Sequence, residues 1–243
     1  MDLKERVALV TGGASGIGAA TVSLLSAMGS SVASLDLKPS AEADLSIEVD
    51  VADEAEMTEA VRRVQEELGL LKLAVLNAGV GSLSPIRSMS LDEWDRVHRV
   101  NVRAALVGFR ECAEAMSDGG AIVAVTSISA FTAERGMAAY STSKAALAQL
   151  VRVAARELGP RITVNAVAPG ATDTPLFSST EQLPGYQERA AGRAALGRLG
   201  RPIDIAAAIV SLLSLDWVTG QVLVADGGLS LYSPIDPVEA LEQ

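Results

Sequence analysis

Eight residues near the start of the chain, Thr11-Gly12-Gly13-Ala14-Ser15-Gly16-Ile17-Gly18, constrain the fold more than any other stretch. They follow the apolar run Val7 to Val10 directly and open a segment of helical spacing over 16–28. Glycine at 12 permits a tight turn, and glycine at 18 lets the following helix pack closely on the strand. Glycine at 16 leaves the backbone open to a pyrophosphate group. Isolated, such a cluster is compatible with a purely structural turn. Its place in the first strand–helix–strand unit gives it weight.

The rest of the chain repeats that unit. Short β-branched runs lie near 6–11, 31–36, 46–50, 72–77, 120–127, 161–167 and 221–225. Amphipathic stretches near 16–28, 53–68, 91–116, 140–158 and 203–214 separate them. Strands alternating with helices of this length require crossover connections and a parallel sheet. Runs such as Ile122-Val123-Ala124-Val125 are apolar throughout, as strands covered on both faces are. The expected fold is α/β: a single-domain, doubly wound, Rossmann-like parallel sheet of about seven strands over residues 1–243. Two segments break the pattern. Residues 174–202 contain Pro175, Pro184 and Pro202 with glycines at 185, 192, 197 and 200, and read as a substrate lid or a surface excursion. The tail 230–243 carries Pro234 and Pro237 and reads as disordered or packed on a neighbouring subunit.

Charge and composition remove several function classes. Twenty basic against thirty acidic residues give a net charge of −10, which disfavours nucleic acid and anionic membranes as partners. Backbone amides at a helix start still hold phosphate without any cation. Cys112 is the only cysteine and lies in an apolar stretch, so it reads as a buried structural thiol. With His98 the only histidine, no four-ligand Cys/His zinc site can form; counting leaves a carboxylate-rich site open, but no metal is expected. No signal peptide or spanning segment is read: the longest apolar segment, Ile205 to Leu215, is too short. A soluble cytoplasmic protein is expected.

Asp36 ends the second strand, 18 residues beyond Gly18, where a carboxylate can bond both hydroxyls of an adenosine ribose. A 2′-phosphate would meet like charge there, and Lys38 reads as solvated, so the expected cofactor is NAD rather than NADP.

These residues bring the chain to a known family. It resembles the classical short-chain dehydrogenases/reductases over about residues 5–230. The likeness rests on the T-G-x-x-x-G-x-G turn, Asp50-Val51, Asn77-Ala78-Gly79, Asn101, Ser127, Tyr140-x-x-x-Lys144, Pro169-Gly170, Gly220-Gln221-Val222 and Asp226-Gly227-Gly228. Departures are Leu76, Lys72 and Thr172, at places more often held by Asn, Asp and Ile or Val. The resemblance implies a dinucleotide site made by Gly12, Ser15, Gly16, Ile17, Gly18, Asp36, Asp50, Val51, Asn77, Ala78, Gly79, Tyr140, Lys144, Pro169, Gly170, Thr172 and Thr174. It assigns Ser127 to hold the substrate oxygen and Lys144 to bond the nicotinamide ribose. Asn101 would position a water linking Lys144 to solvent. It further implies a homo-oligomer, dimer or tetramer, built on the long helices. Ala145, Ala146, Ala148, Ala154 and Ala155 would allow close packing there.

The chemistry has a physical rationale in the residues themselves. Carbonyl reduction or alcohol oxidation moves a proton with a hydride, and the protein must supply the acid/base group. Free tyrosine titrates near 10, and a nearby ammonium stabilises tyrosinate. Lys144 stands one helical turn after Tyr140, so the spacing predicts a phenol with a lowered pKa acting as general acid/base. Taken singly, a Tyr/Lys pair is an ordinary surface feature and Ser127 an ordinary turn residue; their joint occurrence points to catalysis. The expected function is an NAD-dependent oxidoreductase interconverting a secondary alcohol and a ketone. Its alternatives are a 3-ketoacyl (acyl-carrier or CoA) reductase and a non-catalytic dinucleotide-binding sensor or scaffold. The substrate pocket is expected from Ser129, Phe131, Met137, Leu176, Phe177 and Tyr186, which suggests a hydrophobic small molecule. Arg135 reads as solvated, and Trp94 and Trp217 as core or interface residues.

Overall fold

The computed structural model describes residues 2–178 and 183–233. Among them, seven parallel strands form one sheet in the order β3-β2-β1-β4-β5-β6-β7. The strands are β1 (Val7–Thr11), β2 (Ser31–Asp36), β3 (Leu45–Glu48), β4 (Leu71–Leu76), β5 (Gly120–Val125), β6 (Ile162–Pro169) and β7 (Val222–Ala225). The expected doubly wound architecture is what forms. All of β1 and β5 is buried, as their unbroken apolar sequences require of strands covered on both faces. By contrast, β3 at one edge alternates buried and exposed residues, and β7 at the other leaves Leu223 and Val224 partly in solvent.

Helices lie on both faces. These are α1 (Gly16–Ala27), α2 (Glu54–Glu67), α3 (Leu91–His98), α4 (Ala104–Ala115), α5 (Ala138–Leu158), α6 (Pro175–Ser178), α7 (Tyr186–Arg193) and α8 (Pro202–Ser214). Alternation along β1 divides the core. Val7 and Leu9 join the cluster under α2, α4 and α5, while Ala8 and Val10 join the one under α1 and α8. The chain leaves β1 toward β2 and β3 on one side and resumes with β4 on the other. The carboxyl ends of β1 and β4 therefore flank the crevice where ligands bind in sheets of this kind.

Several boundaries depart from expectation, each for a local reason. The helix expected over 91–116 is two helices joined by a π-helical turn, Arg99–Arg103, which accommodates one extra residue per turn. Ser127 lies two residues beyond the end of β5 and leads a 3-10 turn, Ile128–Ala130. Within 174–202 the chain forms α6 and α7, and a bridge between Thr172 and Gly200 ties its ends together. Residues 179–182 of that segment and 234–243 of the tail lie outside the described residues. Trp217 is 99% exposed and so is not a core residue, whereas Trp94 stacks on His98 at 4.3 Å. Ala148, Ala154 and Ala155 turn into the chain's own core, while Ala145 and Ala146 remain exposed.

Candidate active site

The crevice is built from the glycine turn upward. Gly12 adopts a left-handed φ of +67°, and its amide donates to Leu35 O at 2.7 Å, tying the turn to β2. Asn77, at the end of β4, donates its side-chain amide to Thr11 O and Gly12 O, each at 3.1 Å. Thr11 Oγ1 in turn accepts the backbone amides of Asn77 and Ala78 at 3.0 and 3.1 Å. These bonds fasten β1 to β4 at the switch point, a role for Thr11 that sequence reasoning did not assign. A side chain at Gly18 is excluded, since a Cβ there would stand 1.9 Å from Gly12 O.

This cradle fits a bound pyrophosphate. In α2 and α3 the first amides are capped by Asp53 and Ser90 side chains, whereas Ser15 at the start of α1 makes no side-chain capping bond. The helix start thus keeps backbone donors for an anion. Thr174 lies directly over it: a Cβ at Gly16 would be 3.3 Å from the Thr174 Cβ. Asp36 stands at the end of β2, its carboxylate accepting Ala14 N at 3.0 Å and Lys38 N at 3.2 Å. Beyond β3, Val51 is buried, and Asp50 accepts Ala52 N at 2.9 Å and faces Arg99 at 3.2 Å. At the end of β6, Gly170 packs against Asp226, leaving 2.6 Å for a Cβ, and Thr172 Oγ1 donates to Gly170 O at 3.0 Å. Gly12, Asp36 and Asn77 thus stand at the carboxyl ends of β1, β2 and β4, and Gly170 follows that of β6.

The second group gathers on the far side of β4. Tyr140 and Lys144 share one face of α5, with Lys144 Nζ 5.8 Å from the Tyr140 ring centre. The Ser127 hydroxyl acts on the Tyr140 phenol, lowering its pKa, and accepts Ser129 N at 3.1 Å. Lys144 is almost wholly buried and donates to Val125 O at 2.9 Å. Gly79 opposes it; a Cβ there would stand 3.2 Å from both Lys144 Nζ and Asn101 Oδ1. Asn101, presented by the π turn, is fully engaged through its side chain. Its Oδ1 accepts Val80 N at 2.8 Å, and its Nδ2 donates to Val80 O and Ser143 Oγ, each at 3.0 Å. Ser143, another residue the sequence did not single out, donates to Tyr140 O at 2.7 Å. The Asn101 amide is thus a clamp between α5 and the segment after β4.

Electrostatics correct one expectation. The phenol of Tyr140 is held above its ordinary value, chiefly by burial; the Ser127 hydrogen bond lowers it and the Glu134 carboxylate raises it further. Burial also pulls Lys144 down to about 8. Both groups lose water together, so desolvation outweighs the mutual help that their spacing suggested. Cys112 is buried and pushed up to about 12 by desolvation, in keeping with a structural thiol.

The remaining wall is apolar with polar points. Leu176 of α6 reaches across to Gly81, and Phe177 meets Tyr186 at 5.9 Å between ring centres. Ser129 is buried and Met137 half-buried; Phe131 is 55% exposed, and Arg135 is exposed as expected. Lys72 pairs with Asp118 at 2.8 Å at the opposite end of the sheet, away from the crevice. Among the described residues there is no group of acidic, histidine or cysteine side chains able to hold a metal and no helix long and apolar enough to cross a membrane.

Comparison with known proteins agrees with this geometry. The family model described as enoyl-(acyl carrier protein) reductase matches residues 12–230. Cyclopentanol dehydrogenase of Comamonas testosteroni is 34% identical over 243 residues, covering 93% of this chain and 97% of that protein. The 3-oxoacyl-acyl-carrier-protein reductase of Thermotoga maritima is also 34% identical, over 247 residues, covering 94% and 99%. Among solved structures, the ligand-free aldohexose dehydrogenase of Thermoplasma acidophilum superposes with a TM-score of 0.92 at 31% identity, covering 97% of this chain and 98% of that one. Proteins of this kind are oxidoreductases that use a nicotinamide dinucleotide on small molecules. With its glycine cradle, its Ser127–Tyr140–Lys144 cluster and its parallel seven-stranded sheet, the chain belongs to the classical short-chain dehydrogenase/reductase family.

Proposed function

We propose that this oxidoreductase is an NAD-preferring alcohol dehydrogenase or ketoreductase that interconverts a secondary alcohol and a ketone on a largely hydrophobic small molecule. The observation that carries the reading is the meeting of Tyr140 with a buried Lys144, whose Nζ stands 5.8 Å from the ring centre, beside Gly79 and the glycine cradle. When bound, the nicotinamide supplies or accepts the hydride. Tyr140 moves the proton at the substrate oxygen. In the reductive direction its phenol, kept protonated at neutral pH by burial, acts as general acid. Ser127 donates to the same oxygen and stabilises the charge that develops there. Lys144 offers its Nζ to the ribose, and Asn101 keeps α5 in place behind it. Asp36 supports NAD, because its carboxylate would repel a 2′-phosphate. Residues 174–178 and 183–202 cover the substrate cleft, with Leu176 reaching Gly81. The exposed Trp217, Leu223 and Val224 along the β7 edge favour a homo-oligomer.

A second reading, a 3-ketoacyl reductase, draws on the likeness to the Thermotoga maritima protein. Asp36 and a net charge of −10 speak against an NADPH-linked enzyme that docks an acidic carrier. A panel of secondary alcohols and ketones, assayed by nicotinamide absorbance with NAD and NADP in parallel, separates the two readings. The variant Tyr140→Phe is expected to lose turnover while retaining NAD affinity. Full activity in that variant overturns the assignment.

A further inference from the structure

The π-helical turn Arg99–Arg103 carries more than Asn101. Residues four apart on a helix share a face, and the residue midway between them points elsewhere. Asn101 accordingly turns inward to Val80 and Ser143, while Arg99 and Arg103 reach outward to the segment that follows β3. Arg99 Nη2 stands 3.2 Å from Asp50 Oδ2. Arg103 Nη1 donates to Ala52 O at 3.3 Å, and its Nη2 lies 3.8 Å from Glu54 Oε2. The segment so gripped is itself well braced. Asp50 O accepts Asp53 N and Asp50 N donates to Glu56 Oε2, each at 2.8 Å, and Asp50 Oδ1 accepts Ala52 N at 2.9 Å.

This segment borders the end of the crevice where Asp36 would hold the adenosine. Val49 N donates to Asp36 O at 2.8 Å, so Asp50 and Val51 come directly after the residue bound to it. A carboxylate offers about four lone-pair sites. Ala52 N and Arg99 take two of those on Asp50, which leaves capacity for the amine of an adenine. On the catalytic side, Asn101 Oδ1 and Lys144 Nζ flank Gly79, each 3.2 Å from a Cβ placed there. Asn101 Nδ2 also holds α5 through Ser143 Oγ at 3.0 Å. One short turn is therefore fastened to both ends of the proposed dinucleotide site.

We infer that Arg99, with Arg103 in support, is a positioning residue that couples the adenosine end of the site to the nicotinamide end. Adenosine bound at Asp50 holds that carboxylate in place. The arginine bonds pass the restraint to the turn, and Asn101 passes it to α5, which carries Lys144. The ligand that binds first bears an ordering cost that the second then escapes. The Arg99–Asp50 pair is open to solvent, with side chains 49% and 36% exposed, and exposed pairs add little to stability. Its contribution lies in relative placement, and that sets it apart from a merely structural contact.

The inference rests on the dinucleotide reading and deepens it. Its test needs no turnover. Two fragments stand in for the cofactor: adenosine, and reduced nicotinamide mononucleotide, whose fluorescence reports its own binding. Saturating adenosine should tighten the Kd of the mononucleotide by about threefold or more in the unaltered protein. In Arg99→Gln the factor should fall below about twofold, and in Arg99→Gln/Arg103→Gln to about one. Arg99→Lys keeps the charge and should keep more of the coupling than Arg99→Gln. Urea midpoints of all variants should match that of the unaltered protein. Both fragments binding without coupling in the unaltered protein, or equal coupling in the double variant, overturns the role of Arg99 alone. So does a coupling lost together with a lowered urea midpoint. Failure of adenosine, the mononucleotide and NADH all to bind overturns the dinucleotide reading and this one with it.

Discussion

Replacing Lys144 by Met tests the energetics of the site directly. Desolvation lowers the ammonium from its ordinary 10.5 to about 8, so in the folded chain it releases its proton earlier than in the unfolded chain. Between those two values the unfolded state binds more protons, and folding stability must rise with pH. Below pH 8 the charged group costs about 3 kcal/mol, at about 1.4 kcal/mol for each tenfold change. By pH 9.5 roughly 2 kcal/mol of that cost has gone. The neutral methionine has no such dependence. Removing the bond from Nζ to Val125 O adds a further penalty to the variant, but that penalty is the same at every pH and cancels when the difference is followed. The assay is urea unfolding of both proteins at pH 7 and pH 9.5. The native protein is expected to gain about 2 kcal/mol relative to Lys144→Met across that interval. A difference that stays flat, or that moves the other way, refutes the claim that burial dominates Lys144.

Gly18→Ala should be destabilising by roughly 1–3 kcal/mol or more, and should lose NAD binding in a fluorescence titration, because its Cβ would fall 1.9 Å from Gly12 O. Asn101→Ala breaks three side-chain hydrogen bonds and should lower stability by about 2–4 kcal/mol in urea unfolding. Its loss of activity should be matched by a displaced α5 in a crystal structure. Cys112, buried and pushed up to about 12, should resist a thiol reagent at pH 8 until urea opens the protein. A stoichiometric reaction in the native state would show that α4 is not packed as described.

Much of this was legible in the residues, and what was not has identifiable causes. Strands such as β1 stand out because burial on both faces leaves the run Val7 to Val10 without a polar position to confuse the pattern. The end of β5 is less distinct. Thr126 still donates to Val167 O, and Ser127 keeps an extended backbone, so the strand-like run outlasts the ladder. Helical spacing over 91–116 hides the π turn, since one extra residue hardly disturbs an apolar stripe. In the site, the four residues from Tyr140 to Lys144 did place both on one face, but the direction of the phenol shift depended on burial, which spacing does not encode. Ser143 and Thr11 act through bonds to residues 42 and 66 positions away, respectively, beyond any local pattern.

The bulge at Arg99–Arg103 carries a lesson for anyone shortening or redesigning this enzyme. Excising one residue there would let α3 and α4 run on as a single regular helix, a change that looks like a repair by helical standards. It would also remove the local displacement of backbone that presents Asn101. Asn101 would swing away from Val80 and Ser143, and α5 would be left without its clasp. A helix made more perfect here would be a catalyst undone.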